Sequence, residues 1–107
     1  MTNFIQKYPT SFPFRGQTIA YTSSSVAAAS TFSAETYQVR LVATSACCYK
    51  IGDGAQTAAV DNTSEFLPAN WVEYVRVNPG QSVAAIRCSS NGLITATDGT
   101  LWVTELT

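Results

Sequence analysis

The sequence predicts an all-β protein built as a small antiparallel β-sandwich, and three observations predict it. Residues 36–44 alternate, with Tyr37, Val39, Leu41 and Ala43 on one face and Gln38 and Arg40 on the other, the period of a half-buried strand. Turn chemistry recurs between short β-rich runs at Gly52-Asp53-Gly54, Asp61-Asn62-Thr63-Ser64, Ser89-Ser90-Asn91-Gly92 and Asp98-Gly99. That spacing is what a sandwich or barrel produces. Residues 70–77 and 82–88 flank Asn78-Pro79-Gly80-Gln81. There Pro79 presets φ for the second turn position, and Gly80 tolerates the positive φ that a type II turn needs at the third. The expectation is a β-hairpin turning at residues 78–81.

Taken in order, residues 1–17 form an N-terminal arm ahead of a domain over residues 18–107. Phe4, Ile5, Tyr8, Phe12 and Phe14 recur among Pro9, Pro13 and Gly16 without a helical or alternating period. The prolines forbid a regular interior strand or helix, while five large apolar side chains argue against a solvated tail. The arm is expected to be extended and to dock its rings, either on a neighbouring subunit or back across its own domain. Residues 18–22 read as a strand, and the Ser/Ala-rich residues 23–30 as a second extended segment. Residues 46–51 follow 36–44 as a further strand, residues 55–60 as a short edge strand, then 93–97 and 100–106. Seven or eight strands suit a jelly-roll-like or Ig-like sandwich. In residues 71–77 apolar groups fall on both faces, which suits a strand covered by its own core and by a neighbour.

Composition narrows the function. The 107 residues make one domain with one core. Charged residues are 12% of the chain, about half the roughly 25% of soluble domains, so Ser, Thr and Ala cover the surface. Few ions have to be stripped of water when such a surface associates. The net charge is −1 and six basic residues are scattered singly, which argues against nucleic acid as a partner. No apolar run approaches the roughly 20 residues of a membrane span, and no signal peptide is visible, so synthesis in a cytoplasm is expected.

Chemistry is sparse. The chain holds no histidine, which excludes Ser-His and Cys-His pairs. Cys47, Cys48 and Cys88 are expected as buried free thiols, with no metal and no cofactor. Gly52-Asp53-Gly54 lacks the Gly-Lys-Ser/Thr ending of a phosphate loop and reads as a turn. Trp71 and Tyr74 are expected at a partner interface. With Trp102 they also fit a sugar-stacking platform, if they are exposed together in a cleft rather than packed.

The runs Val39-Arg40-Leu41-Val42-Ala43-Thr44, Tyr49-Lys50-Ile51-Gly52, Phe66-Leu67-Pro68-Ala69, Glu73-Tyr74, Pro79-Gly80, Val83-Ala84-Ala85-Ile86 and Leu101-Trp102-Val103-Thr104-Glu105-Leu106 carry a resemblance. Over residues 36–107 the chain resembles small β-sandwich structural proteins of tailed bacteriophage virions. The resemblance implies a non-enzymatic virion component, a capsid decoration or cementing protein. Its implied partners are other virion proteins, the major capsid protein first, together with further copies of itself. A neck or tail component is the nearest competitor, and a carbohydrate-binding β-sandwich module the next. The interface residues expected are Phe4, Ile5, Tyr8, Phe12, Phe14, Trp71 and Tyr74.

Overall fold

The computed structural model describes residues 13–61, 63–90 and 95–106, with the backbone alone at Phe14. It contains β1 (Pro13–Tyr21), β2 (Val26–Ala27), β3 (Gln38–Ala43), β4 (Cys47–Gly52), β5 (Glu65–Leu67), β6 (Val72–Arg76), β7 (Ser82–Arg87) and β8 (Gly99–Leu106). The described residues contain no helix. Two four-stranded antiparallel sheets run in the orders β1-β8-β3-β6 and β2-β7-β4-β5.

Those orders decide between the two sandwiches. β1 pairs with β8, β2 with β7, β3 with β6 and β4 with β5. The chain is thus one long antiparallel ribbon, doubled back between β4 and β5, then rolled so that β8 also meets β3 and β7 also meets β4. This eight-stranded double Greek key is the jelly roll rather than the Ig arrangement. Rolling buries one face of each sheet. Ile19, Tyr21, Val39, Leu41, Ala43, Leu101 and Val103 from the first sheet meet Cys47, Tyr49, Leu67, Val83 and Ala85 from the second.

Residues 78–81 turn as expected: the Gln81 N–H donates to the Asn78 carbonyl at 3.2 Å, and Gly80 has φ of 83°. The flanking strands do not form a hairpin, however. β6 pairs with β3 in one sheet, whereas β7 lies between β2 and β4 in the other. Burial explains the difference. Ser82, Val83, Ala84 and Ala85 are all buried, on both faces of β7, so β7 needs a central place. β6 alternates between exposed and half-buried residues, which suits an edge. The turn is held instead against Phe32, whose N–H donates to the Gln81 carbonyl and whose carbonyl accepts from the Gly80 N–H. Turn chemistry dictates a reversal, and burial dictates which sheet receives each arm. The one true hairpin is β4–β5, with a long connection.

Other boundaries move for similar reasons. β1 begins at Pro13, so residues 13–17 belong to the sheet and the arm ends earlier than expected. Proline is tolerated there because it is the first residue of an edge strand. A bulge at Phe14 follows, where the register steps from Pro13–Leu106 to Arg15–Glu105. Residues 55–60 form no strand. They cross as a loop tied by the Ala58 N–H to Ser25 Oγ at 2.8 Å and by Ser82 Oγ to the Gly54 carbonyl at 2.6 Å. Residues 95–97 are likewise outside any strand, and residues 93 and 94 lie outside the described residues. Tyr37 precedes β3 and is exposed, although Val39, Leu41 and Ala43 behind it are fully buried. The expected extended segment at 23–30 is reduced to the two-residue β2.

Glu105 is the only acidic side chain fully buried among the described residues. It accepts hydrogen bonds from Arg15 Nε at 2.6 Å, the Ser33 N–H at 2.9 Å and Thr36 Oγ1 at 2.6 Å. Burial pushes its carboxyl pKa up, but these bonds and the Arg15 charge outweigh burial and hold it below the ordinary value. Its stabilisation is therefore present above the unfolded carboxyl pKa of about 4.3 and lost as pH falls through the depressed folded value. Glu105→Gln is expected to cost about 1.5–3 kcal/mol at pH 7. It should also flatten the acid limb of the stability curve. Urea midpoints at pH 7 and pH 3 check this, and an unchanged acid limb rejects it.

Candidate functional site

Side-chain alternation on the first sheet sends Leu101, Val103, Val39 and Leu41 inward, and it sends Trp102, Val42, Val72 and Tyr74 outward. Strand register then lines up Thr18, Trp102, Val42 and Val72 as one row across the four strands. The next row is Gly16, Thr104, Arg40 and Tyr74. Neighbouring strands lie about 4.8 Å apart, so Trp102, Val42, Val72 and Tyr74 form one contiguous apolar patch. Trp102 is 56% exposed, Val72 49%, Tyr74 59%, and Trp71, just before β6, 61%. Arg40 is half-buried beside them and donates to Thr104 Oγ1 at 3.4 Å. A hydrophobic patch of this kind, with Arg40 and Arg76 as the charges on the same face, is a candidate interaction surface.

Two of the expected interface residues, Trp71 and Tyr74, thus lie on or beside this face. Phe4, Ile5, Tyr8 and Phe12 lie outside the described residues, and Phe14 sits at the β1 bulge. The patch also holds Trp102, which the sequence suggested only for a sugar-stacking platform, and Val72 and Val42, which it did not single out. The signal for Trp102 was present in its neighbours, because burying Leu101 and Val103 obliges the residue between them to face out. Val72 and Val42 needed the register, which no local pattern supplies.

A second feature lies at the open side of the sandwich, where β5 and β6 are the two sheet edges. A cleft of about 450 Å³ there is lined by Tyr49, Ile51, Glu65, Val75, Arg76, Val77, Asn78 and Gln81. The Tyr49 hydroxyl donates to Glu73 Oε1 in a short hydrogen bond that joins β4 to β6 across the two sheets. Burial raises the Tyr49 pKa, followed by the bond to Glu73 and then the negative charges of Glu73 and Glu65.

The remaining motifs are structural. Gly54 has φ of 73°, and its carbonyl and that of Asp53 accept from Gln56 Nε2, so Gly52-Asp53-Gly54 is a turn. Cys47, Cys48 and Cys88 are buried and free. Cys47 faces the core, while Cys48 and Cys88 approach on the other face with their sulfurs 3.8 Å apart. Burial pushes Cys47 and Cys88 up to about 12, which keeps them as thiols. No group of three metal-ligating side chains occurs among the described residues, and no helix among them is long and apolar enough to cross a membrane. Compared with protein-family models, curated proteins and solved structures, the chain matches none.

The raised Tyr49 pKa has a consequence at high pH. The stabilisation from its neutral phenol is fully present below the unfolded tyrosine pKa of about 10. It is lost as pH rises from there through the higher folded value. Tyr49→Phe is expected to lower stability at pH 7 by about 1.5–3 kcal/mol, the worth of a hydrogen bond to a charged group, and to make the decline above pH 10 shallower. Thermal unfolding at pH 7 and pH 11 distinguishes this from a tyrosine that contributes packing alone.

Proposed function

We propose that this protein is a non-enzymatic assembly module that works by docking the outer face of its β1-β8-β3-β6 sheet on another protein subunit. The observation that carries the reading is the row Trp102–Val42–Val72 with Tyr74 and Trp71 beside it, all exposed but the half-buried Val42, with Arg40 and Arg76 the charges on the same face. Each large apolar side chain buried at an interface contributes on the order of 1.5–3 kcal/mol at about 25 cal/mol per Å². Association and side-chain ordering cost at least about 4 kcal/mol in return, so several of these anchors together make a stable contact and one does not.

The particular assembly proposed is a tailed bacteriophage particle, with this chain as a capsid decoration or cementing protein. Support comes from the resemblance over residues 36–107 and from the jelly roll, an architecture that viral capsid proteins share with lectins and other domains. A carbohydrate-binding role is the second reading, favoured by the exposure of Trp71, Tyr74 and Trp102, since stacking on a sugar requires rings that the core does not use. The same rings sit on an open sheet face rather than in a cleft, which favours a protein partner.

Trp102→Thr keeps a good strand former at an exposed position, so monomer stability is expected to move by no more than about 0.5 kcal/mol. Loss of a central aromatic anchor is expected to weaken docking by about 2 kcal/mol or more, on the order of thirtyfold. Binding of wild-type and variant protein to particles stripped of it, with unfolding midpoints measured alongside, tests both halves. Equal binding by the variant sinks the reading. Saturable quenching of tryptophan fluorescence by a glycan, with no binding to particles, selects the carbohydrate reading instead.

A further inference from the structure

The outer face and the open side of the sandwich meet along β6. The Val77 N–H donates to the Tyr37 carbonyl at 3.0 Å, which sets the alternation of bonded pairs between β3 and β6. Val39–Val75 and Leu41–Glu73 are then hydrogen-bonded pairs. The backbone N–H and C=O groups of Val72, Tyr74 and Arg76 therefore point away from β3, along the free edge of the sheet. At the opposite edge, β1 is bordered by residues 30 and 31. Gln17 exchanges hydrogen bonds with the Ser30 backbone at 3.1 and 3.3 Å, and Arg15 Nη2 donates to the Thr31 carbonyl at 2.6 Å. β6 carries neither proline nor lysine; of the charges that can guard an edge it has Arg76 and the inward Glu73, which is bonded to the Tyr49 hydroxyl.

On the inner side of this edge lies the cleft walled by Ile51, Val75 and Val77. Glu73 points inward from β6, and Glu65 shares the inner face of the other sheet with its register partner Tyr49. The ion pairs among the described residues are Arg15–Glu105 and Arg87–Asp98, so neither Glu65 nor Glu73 has a cation there. The edge thus offers three outward backbone positions, two carboxylates, and a hollow that Ile51, Val75 and Val77 line together with Arg76.

We propose that residues 2–8 of a second copy of this chain add as a strand to the free edge of β6. The run Thr2-Asn3-Phe4-Ile5-Gln6-Lys7-Tyr8 contains no proline and is long enough to match the five residues of β6. As a strand it places Ile5 and Lys7 on one side and Phe4, Gln6 and Tyr8 on the other. Ile5 seats over the cleft, and Lys7 faces Glu65 and Glu73. Phe4 and Tyr8 extend the apolar outer face beside Val72 and Tyr74. Main-chain bonds supply affinity and alternate side chains specificity, the general logic of strand addition.

The reach of the chain requires a second copy. β1 and β6 are opposite edges of one sheet, so a strand added beyond β6 lies four spacings from β1, about 19 Å. The five residue steps from Pro13 back to Tyr8 span at most about 18 Å even fully extended, and they have to climb over Trp102 and Tyr74 on the way. The whole run cannot lie along its own β6. The contact joins two different patches, so it closes as a reciprocal pair or as a ring. This inference rests on the assembly reading and names its partner and geometry.

Mixing unlabelled with ¹⁵N-labelled full-length chain, followed by zero-length carbodiimide cross-linking and mass spectrometry, tests it. Lys7 is expected to be joined to Glu65 or Glu73 in peptide pairs of mixed label. Lys7→Glu is expected to abolish that product and shift the sedimenting species toward monomer, whereas Lys7→Arg, which the reagent cannot couple, stays assembled. Arg76→Pro removes one outward N–H and leaves the β3 ladder and the outer aromatics in place. It is expected to dissociate the assembly while circular dichroism stays that of the folded protein. Cross-links of unmixed label only, or assembly that survives both Lys7→Glu and a folded Arg76→Pro, overturn the inference. If assembly depends on Trp102 but Lys7 is never found at β6, this inference fails and the docking reading stands. A chain that remains monomeric and binds no particle at any concentration defeats both.

Discussion

The carboxylate of Glu105 is the constraint from which much of the remaining structure follows. An ionised group in a fully buried position is tolerable only when donors surround it, and its three donors come from parts of the chain far apart in sequence. Arg15 lies near the start of β1, and Ser33 and Thr36 lie in the segment between β2 and β3. Satisfying the carboxylate therefore joins the first and last strands, pins the connection that carries Phe32, and through Phe32 holds the turn at residues 78–81. It also fixes the place and direction in which the chain enters the sheet at Pro13.

The pairing scheme places the burden of stability on the middle of each sheet. β7 and β8 are central and heavily buried, β3 is central in the first sheet, and β4 in the second. The edges are handled unequally. β2 and β5 are very short, β1 is bordered by side-chain contacts to the segment beside it, and the outer edge of β6 is left uncovered by any described strand, with Glu73 and Arg76 as its charges. In a protein that lived alone, a bare edge next to exposed Trp71, Val72 and Tyr74 is a liability for aggregation. In a protein built to assemble, the same edge is a template. The low charge of the chain points the same way, since Thr- and Ala-rich surfaces cost little to dehydrate.

The buried polar contacts stay apart from this surface. Tyr49 and Glu73 join the two sheets near the open side, and the thiols of Cys47 and Cys88, held protonated by burial, behave as small apolar groups. The chain's lack of histidine removes the commonest general base.

By itself the sequence determined the fold class, most of the strands and the turn at residues 78–81, because alternation and turn chemistry are local. The period of residues 36–44 states which side chains of β3 are inward, and Pro79-Gly80 states where the chain reverses. It also named Trp71 and Tyr74 as candidates for a partner interface, in a strand expected to be covered by the core and by a neighbour. What it did not contain was the allocation of strands to sheets. A hairpin and a crossing between sheets use the same Asn-Pro-Gly-Gln turn, and only the burial of both faces of β7 sends it to the centre of the other sheet. Residues 55–60 look like a strand by composition, but their backbone groups were claimed by Ser25 and Ser64. Residues 13–17 look like part of an irregular arm, but Glu105, ninety positions from Arg15, draws them into the sheet. The patch formed by Trp102, Val42, Val72 and Tyr74 exists only once three strands are in register. Register is a long-range property, set by packing one whole sheet on the other, and it is there that tertiary structure rather than local sequence decided the protein.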